Sequence, residues 1–282
     1  MIIRNDNITE ASLGLSVGDA DAQTYINRVL AYESVPVEKA NALNDFFIAL
    51  KANGIWSKIR VMFPMIGSIT ETHFLEATGN FRYNNLFTDM VLFGEGVVTY
   101  SDANGLAGPT TNYTSKLNTN NSTAVLFGNG KNDAHYAFYS QNGANAYYLS
   151  NFGGADNDGV VITSGMDFIT EDTTYRFGSI NSEGNRINSG KGLFIARRTT
   201  SPTGLSGKIF LNQNGTLLDS LDEDVSGQGD TLGVDDVKFL YSQNTPARSS
   251  YFSLGYYMND SMMSLYTDLI EDLQVKLGRG QA

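Results

Sequence analysis

From Arg60 onward the chain alternates short aromatic or β-branched runs with clusters of Asn, Gly, Ser and Asp. "VVTY", "TAVLFG", "HYAFYS", "AYYLSNF", "GVVITSG", "TTYRFGSI", "GLFIARR", "GKIFLNQNG", "DVKFLYS" and "SYFSLGYYM" all read as strands bounded by turn residues. Strands at this spacing predict an antiparallel β-sandwich. The sharpest hairpin signal is Asn214-Gly215, because Asn-Gly accepts the positive φ angles of a tight turn. A chain of 282 residues can bury one large all-β core of this kind.

Helical spacing flanks the strands. Asp19 or Asp21 can cap a helix in which Tyr25, Ile26, Val29 and Leu30 recur on one face. Pro36 suits the first turn of a second helix, with Ala40, Leu43, Phe46, Phe47 and Leu50 as its apolar stripe, Gly54 as its stop and Trp56 as a core anchor. A closing helix is capped from Asn259–Ser261, presents Met262, Leu265, Tyr266, Leu269, Ile270 and Leu273, and ends at Gly278. The predicted parts are an extended arm at 1–18, a helical attachment or support segment at 19–60, and a sandwich with its closing helix at 61–282. The helices are expected to brace one edge of that sandwich.

A formal charge of −11 argues against phosphate neutralisation, so nucleic acid is not an expected partner. Cysteine is absent, which removes disulfides and thiolate metal sites. No apolar run is long enough for a membrane span, and the first residues lack the pattern of a signal peptide.

"ALNDFFIALKANGIWSKIRVMFPMIG" resembles a segment common in bacteriophage structural proteins, where a helix ending in Gly-Ile-Trp-x-Lys-Ile leads into a strand and a Gly turn. "SKLNTNNSTAVLFG", "HYAFYS", "GLFIARR", "KIFLNQNG" and "LYTDLIEDLQVKLGR" resemble later landmarks of the same proteins, and their order over residues 40–279 carries the resemblance. It implies a concanavalin A-like jelly roll, the lectin/glucanase fold, carried on a virion. No catalytic or ligand residues transfer with it, and fold alone does not fix function.

Glycoside hydrolases of this fold commonly carry Glu-x-Asp on one strand, where alternation aims both carboxylates at one face. No Glu here has Asp two residues later. Glu171-Asp172 and Asp222-Glu223-Asp224 are adjacent acids read as turns. The two histidines, His73 and His135, leave little for a triad, and His135 reads as a packed strand residue. Ser16 lies in a Gly-x-Ser-x-Gly match, but within the arm rather than a strand-to-helix elbow.

Calcium is the metal that fits, through Asp156 and Asp158 in "GGADNDG" and Asp222 and Asp224 in "LDEDVSGQGD". Solvated acidic turns account for the same segments. Tyr147, Tyr148, Tyr256 and Tyr257 are the glycan-binding candidates, since one ring of each pair faces outward in an extended segment. A sheet surface that meets another subunit is the competing reading.

The sequence is therefore read as a non-enzymatic bacteriophage virion structural protein. It is expected to be a surface-exposed, homo-oligomeric jelly roll made in the host cytoplasm, with capsid or tail proteins as partners and no cofactor. The alternative is a lectin-like host-adsorption protein that binds surface glycan, and behind it a glycoside hydrolase.

Overall fold

The computed structural model describes residues 15–78, 89–92, 99–101, 105–107, 115–117, 134–141, 161–162, 167–169, 176–178, 192–200, 207–223, 238–239 and 248–280. The predicted strands at 123–128 and 146–152 lie outside these residues.

Helices α1 (Ala20–Leu30) and α2 (Val37–Ala52) open the chain, a single turn α3 (Thr70–His73) follows, and α4 (Asp260–Lys276) closes it. The strands are β1 (Ile59–Phe63), β2 (Met90–Leu92), β3 (Thr99–Ser101), β4 (Gly105–Ala107), β5 (Ser115–Leu117), β6 (Ala134–Ser140), β7 (Val161–Ile162), β8 (Asp167–Ile169), β9 (Arg176–Gly178), β10 (Gly192–Thr200), β11 (Gly207–Gln213), β12 (Thr216–Glu223), β13 (Lys238–Phe239) and β14 (Arg248–Gly255). Their pairings are antiparallel.

The main sheet runs β12-β11-β10-β6-β14, and the far edge of β14 is shared by β4, which leads to β3, and by β1. Two three-stranded sheets, β13-β5-β2 and β7-β8-β9, complete the described strands. Asn214 (φ 48) and Gly215 (φ 79) form the predicted two-residue turn between β11 and β12. Asn214 then ties that tip to the neighbouring strand. Its N–H donates to the Leu193 carbonyl and its Oδ1 accepts from the Leu193 N–H, both at 2.8 Å.

The helices form where local chemistry satisfies their ends. Asp19 accepts from the N–H groups of Asp21 and Ala22 at 3.0 and 3.1 Å, and Asn259 accepts from Met262 at 2.9 Å. Gly54 and Gly278 stand just past two helix ends at φ 70 and 74. Pro36 is the residue before α2 and makes no side-chain cap.

Tyr25, Ile26, Leu43, Phe46, Phe47 and Leu50 pack with Met263, Tyr266, Ile270 and Leu273 into one cluster, joined from the sheet by Ala137, Tyr139, Leu193, Ile195 and Tyr251. Burial of each large side chain contributes roughly 1.5–3 kcal/mol. The helices therefore cover a face of β14, β6 and β10 rather than bracing an edge. A single helical stripe cannot bury itself on an edge strand, whereas a sheet offers a broad apolar face. Phe138, Phe194, Phe252 and Leu254 alternate onto the opposite face and are buried there as well. Phe138 stacks on Phe194 at 5.2 Å and Phe63 on Phe252 at 5.9 Å.

Hydrogen bonds set the register of α4 on the sheet. Tyr266 Oη lies 2.6 Å from Tyr251 Oη and 2.7 Å from Ser253 Oγ, Tyr139 donates to Glu271 at 2.6 Å, and Ser250 donates to Gln274 at 2.7 Å. The buried side of α4 thus includes Thr267 and Gln274, while the expected Met262, Leu265 and Leu269 are only partly buried at its margin. Arg279 locks the end of the helix by donating to the carbonyls of Met65 and Pro64 at 2.7 and 3.1 Å.

Candidate functional site

The corner where β14 gives way to α4 brings Arg60 to Tyr256, and Arg197 to Tyr257 and Asp260. Gly255 makes it possible. A Cβ at Gly255 would collide with the Lys58 carbonyl and crowd Arg60 and His135, so only glycine lets β1 lie this close. Tyr256 continues the contact by donating its N–H to the Lys58 carbonyl at 2.8 Å.

His135 holds the same peptide from the other strand. Its Nδ1 is 2.7 Å from the Tyr256 carbonyl. A carbonyl only accepts, so Nδ1 carries the proton and Nε2 is a buried acceptor with no partner among the described residues. Burial, reinforced by the charge of Lys58, pushes His135 down to about 3. Burial and the nearby Arg279 also hold His73 well below the usual imidazole range. Both histidines are buried and neutral, a state suited to fixing backbone rather than to shuttling protons with solvent.

An arginine covers each tyrosine of the corner. Arg60 lies over the Tyr256 ring, 4.5 Å from its centre, and donates to its hydroxyl. Arg197 lies 5.7 Å from the centre of the Tyr257 ring, donates to the Met258 carbonyl at 3.0 Å, and pairs with Asp260 at 2.8 Å. Both rings are half-buried, while Asn259, Asp260 and Ser261 beside them are exposed. The two adjacent tyrosines do not divide into one inward and one outward ring, because each guanidinium shields part of its partner. The result is an aromatic pair near an exposed carboxylate, chemistry that can stack an apolar ring face and accept hydroxyl hydrogen bonds.

Other candidates fall elsewhere. Tyr147, Tyr148, Asp156, Asp158 and Asp224 lie outside the described residues. Asp222 and Glu223 belong to β12 and not to an acidic turn, and Asp222 stands opposite Lys208. The antiparallel hairpin started by Asn214-Gly215 extends β-pairing through them, overriding the weak strand propensity of the acids. Among the described residues no group of three His, Cys, Asp or Glu side chains is placed to hold a metal ion. Ser16 is exposed in the coil before α1. Trp56 is half-buried at the core margin, 5.0 Å from the Phe47 ring and under Lys51. Arg60 and Arg197 escaped the sequence reading, because an arginine on a strand reads as a solvated residue.

No family model matches the chain, and no curated protein does. Among solved structures it is similar to the binding domain of Paraclostridial Mosquitocidal Protein 1, at 11% identity and a TM-score of 0.51, over 76% of this chain and 52% of that one. It is also similar to the binding domain of botulinum neurotoxin DC, solved in complex with rat synaptotagmin II, at 14% identity and a TM-score of 0.50, over 77% and 52%. The chain spans about half the length of these structures. The likeness establishes the fold, a mainly β, antiparallel jelly-roll sandwich, which in this chain carries N-terminal helices and a C-terminal helix. No described helix is long and apolar enough to cross a membrane.

Proposed function

We propose that this chain is a non-enzymatic, lectin-like binding module that recognises carbohydrate on a host surface and is carried on a bacteriophage virion. The observation that carries the reading is the corner at the end of β14, where Tyr256 and Tyr257 sit half-exposed beside the carboxylate of Asp260. Sugars present an apolar ring face and a rim of hydroxyls, and an aromatic ring with a neighbouring acceptor matches both. Support also comes from the fold, which is that of two domains named for binding. That support moves the weight from a purely architectural role to recognition.

The virion setting rests on the resemblance of residues 40–279 to phage structural proteins. On this reading residues 1–18 attach the module to capsid or tail proteins, residues 19–60 support it, and copies repeat around a symmetric particle. The absence of a catalytic role is part of the proposal, supported by two histidines that are both buried.

The test has two arms. The purified chain is applied to a broad glycan array beside Tyr257→Ala, and excess chain is added to host cells before phage. The expected result is binding to a defined glycan set that Tyr257→Ala weakens about tenfold, a loss of the size of one stacking contact in free-energy terms, together with slower phage adsorption. No glycan bound by a folded chain would overturn the recognition reading.

A further inference from the structure

Among the described residues several cations meet an acid: Arg28 pairs with Asp89, Lys51 with Asp19 and Asp21, Arg197 with Asp260, and Lys276 with Asp272 and Asp45. Lys58 and Arg60 have no carboxylate partner among the described residues. That is unexpected where 30 acidic residues face 19 basic ones. Lys58 immediately precedes β1 and its carbonyl accepts from the Tyr256 N–H, while Arg60 is the second residue of that strand.

Arg60 is also held in place. Its guanidinium lies over the Tyr256 ring and donates to the tyrosine hydroxyl, while Nε is buried with no acceptor among the described residues. A half-buried guanidinium that is already oriented loses little rotamer freedom when an anion arrives, and its fork matches a carboxylate. The aromatic ring alone cannot neutralise it. We propose that Lys58, Arg60 and Tyr256 form a subsite for the carboxylate of an acidic sugar, with Arg60 as the direct partner, Tyr256 orienting it and Lys58 adding charge. This deepens the carbohydrate-binding reading and rests on it.

The test titrates the full chain with oligogalacturonate and with sialyllactose, each against its methyl ester, which keeps the rings and removes the charge. At least one acid is expected to bind about tenfold tighter than its ester, with the preference shrinking as salt rises. Arg60→Gln should abolish the preference, so that acid and ester bind alike, Lys58→Gln should reduce it, and Arg60→Lys should retain part of it. The salt dependence of the unmodified chain keeps the idea testable should an Arg60 variant misfold. Equal binding of acid and ester, or a preference that survives in Arg60→Gln, overturns the subsite and leaves the recognition reading standing. Failure to bind any glycan on the broad array overturns both.

Discussion

Arg197 and Asp260 meet at 2.8 Å with side chains that are 1% and 84% exposed. One member of the pair is committed to the interior and the other stands in water. The two ends of this salt bridge should therefore differ in what their removal costs. Asp260→Asn gives up a solvent-screened contact and should cost about 1 kcal/mol or less. Arg197→Ala opens a cavity and strips donors from the Met258 carbonyl and from Asn212, so about 3–5 kcal/mol is expected. Urea unfolding of both variants checks this, and equal costs would contradict the assignment.

The tip of the β11–β12 hairpin gives a second prediction. Gly192 sits at φ 98, where an added Cβ would collide with the Asn214 side chain. Gly192→Ala should lose about 1–3 kcal/mol from backbone strain together with that collision. Asn214→Asp keeps the acceptor for the Leu193 N–H and should stay within about 1 kcal/mol of the parent, whereas Asn214→Ala loses both the acceptor and the tolerance for φ 48. Thermal melts should place Asn214→Asp nearest the parent, with Gly192→Ala and Asn214→Ala both below it.

Local chemistry in the sequence is what made these features legible. Asp19 and Asn259 as caps, Asn214-Gly215 as a turn and the apolar stripe of α2 all act over a few residues, and each stands where its spacing placed it. The order of the main sheet is different. β6 pairs with β10 and β14 across many intervening residues, and no local pattern encodes that choice. Arg197 and Arg279 were illegible for a related reason. Each is buried only because carbonyls from distant segments converge on it, Met258 for one and Met65 with Pro64 for the other. Of the candidate site, the tyrosine pair was visible and its two arginine partners were not, since Arg60 reaches Tyr256 across 196 positions.

Stability should fall with acid through a window set by the two histidines. Their folded-state values lie below the ordinary 6.5, at about 3 for His135 and well below 6.5 for His73. The unfolded chain therefore binds more protons than the folded one between those limits. The histidine contribution is full above pH 6.5 and is lost as pH drops, for His135 down to about 3, by up to about 1.4 kcal/mol per unit for each histidine. His135→Asn retains a donor toward the Tyr256 carbonyl and removes the titration. Urea midpoints at pH 7, 6 and 5 should show a shallower slope for the variant, and parallel slopes would remove His135 from the account.

The boundary between arm and folded body is the last expectation. Leu15 and Val17 pack against the core, and Gln23 bridges them by accepting from the Val17 N–H at 2.7 Å and donating to the Leu15 carbonyl at 3.1 Å. Leu15 and Val17 therefore belong to the folded body, within the 1–18 segment read as an arm. Deleting residues 1–14 keeps both side chains and their bridge. Deleting 1–18 removes two partly buried apolar side chains and their bridge, worth roughly 1–3 kcal/mol, and should lower the melting temperature by a few degrees. Both deletions should reduce incorporation into particles if the arm is the attachment device. Normal incorporation of the 1–14 deletion would assign attachment to the helical face instead, where Val37 and Ile48 of α2 stand exposed.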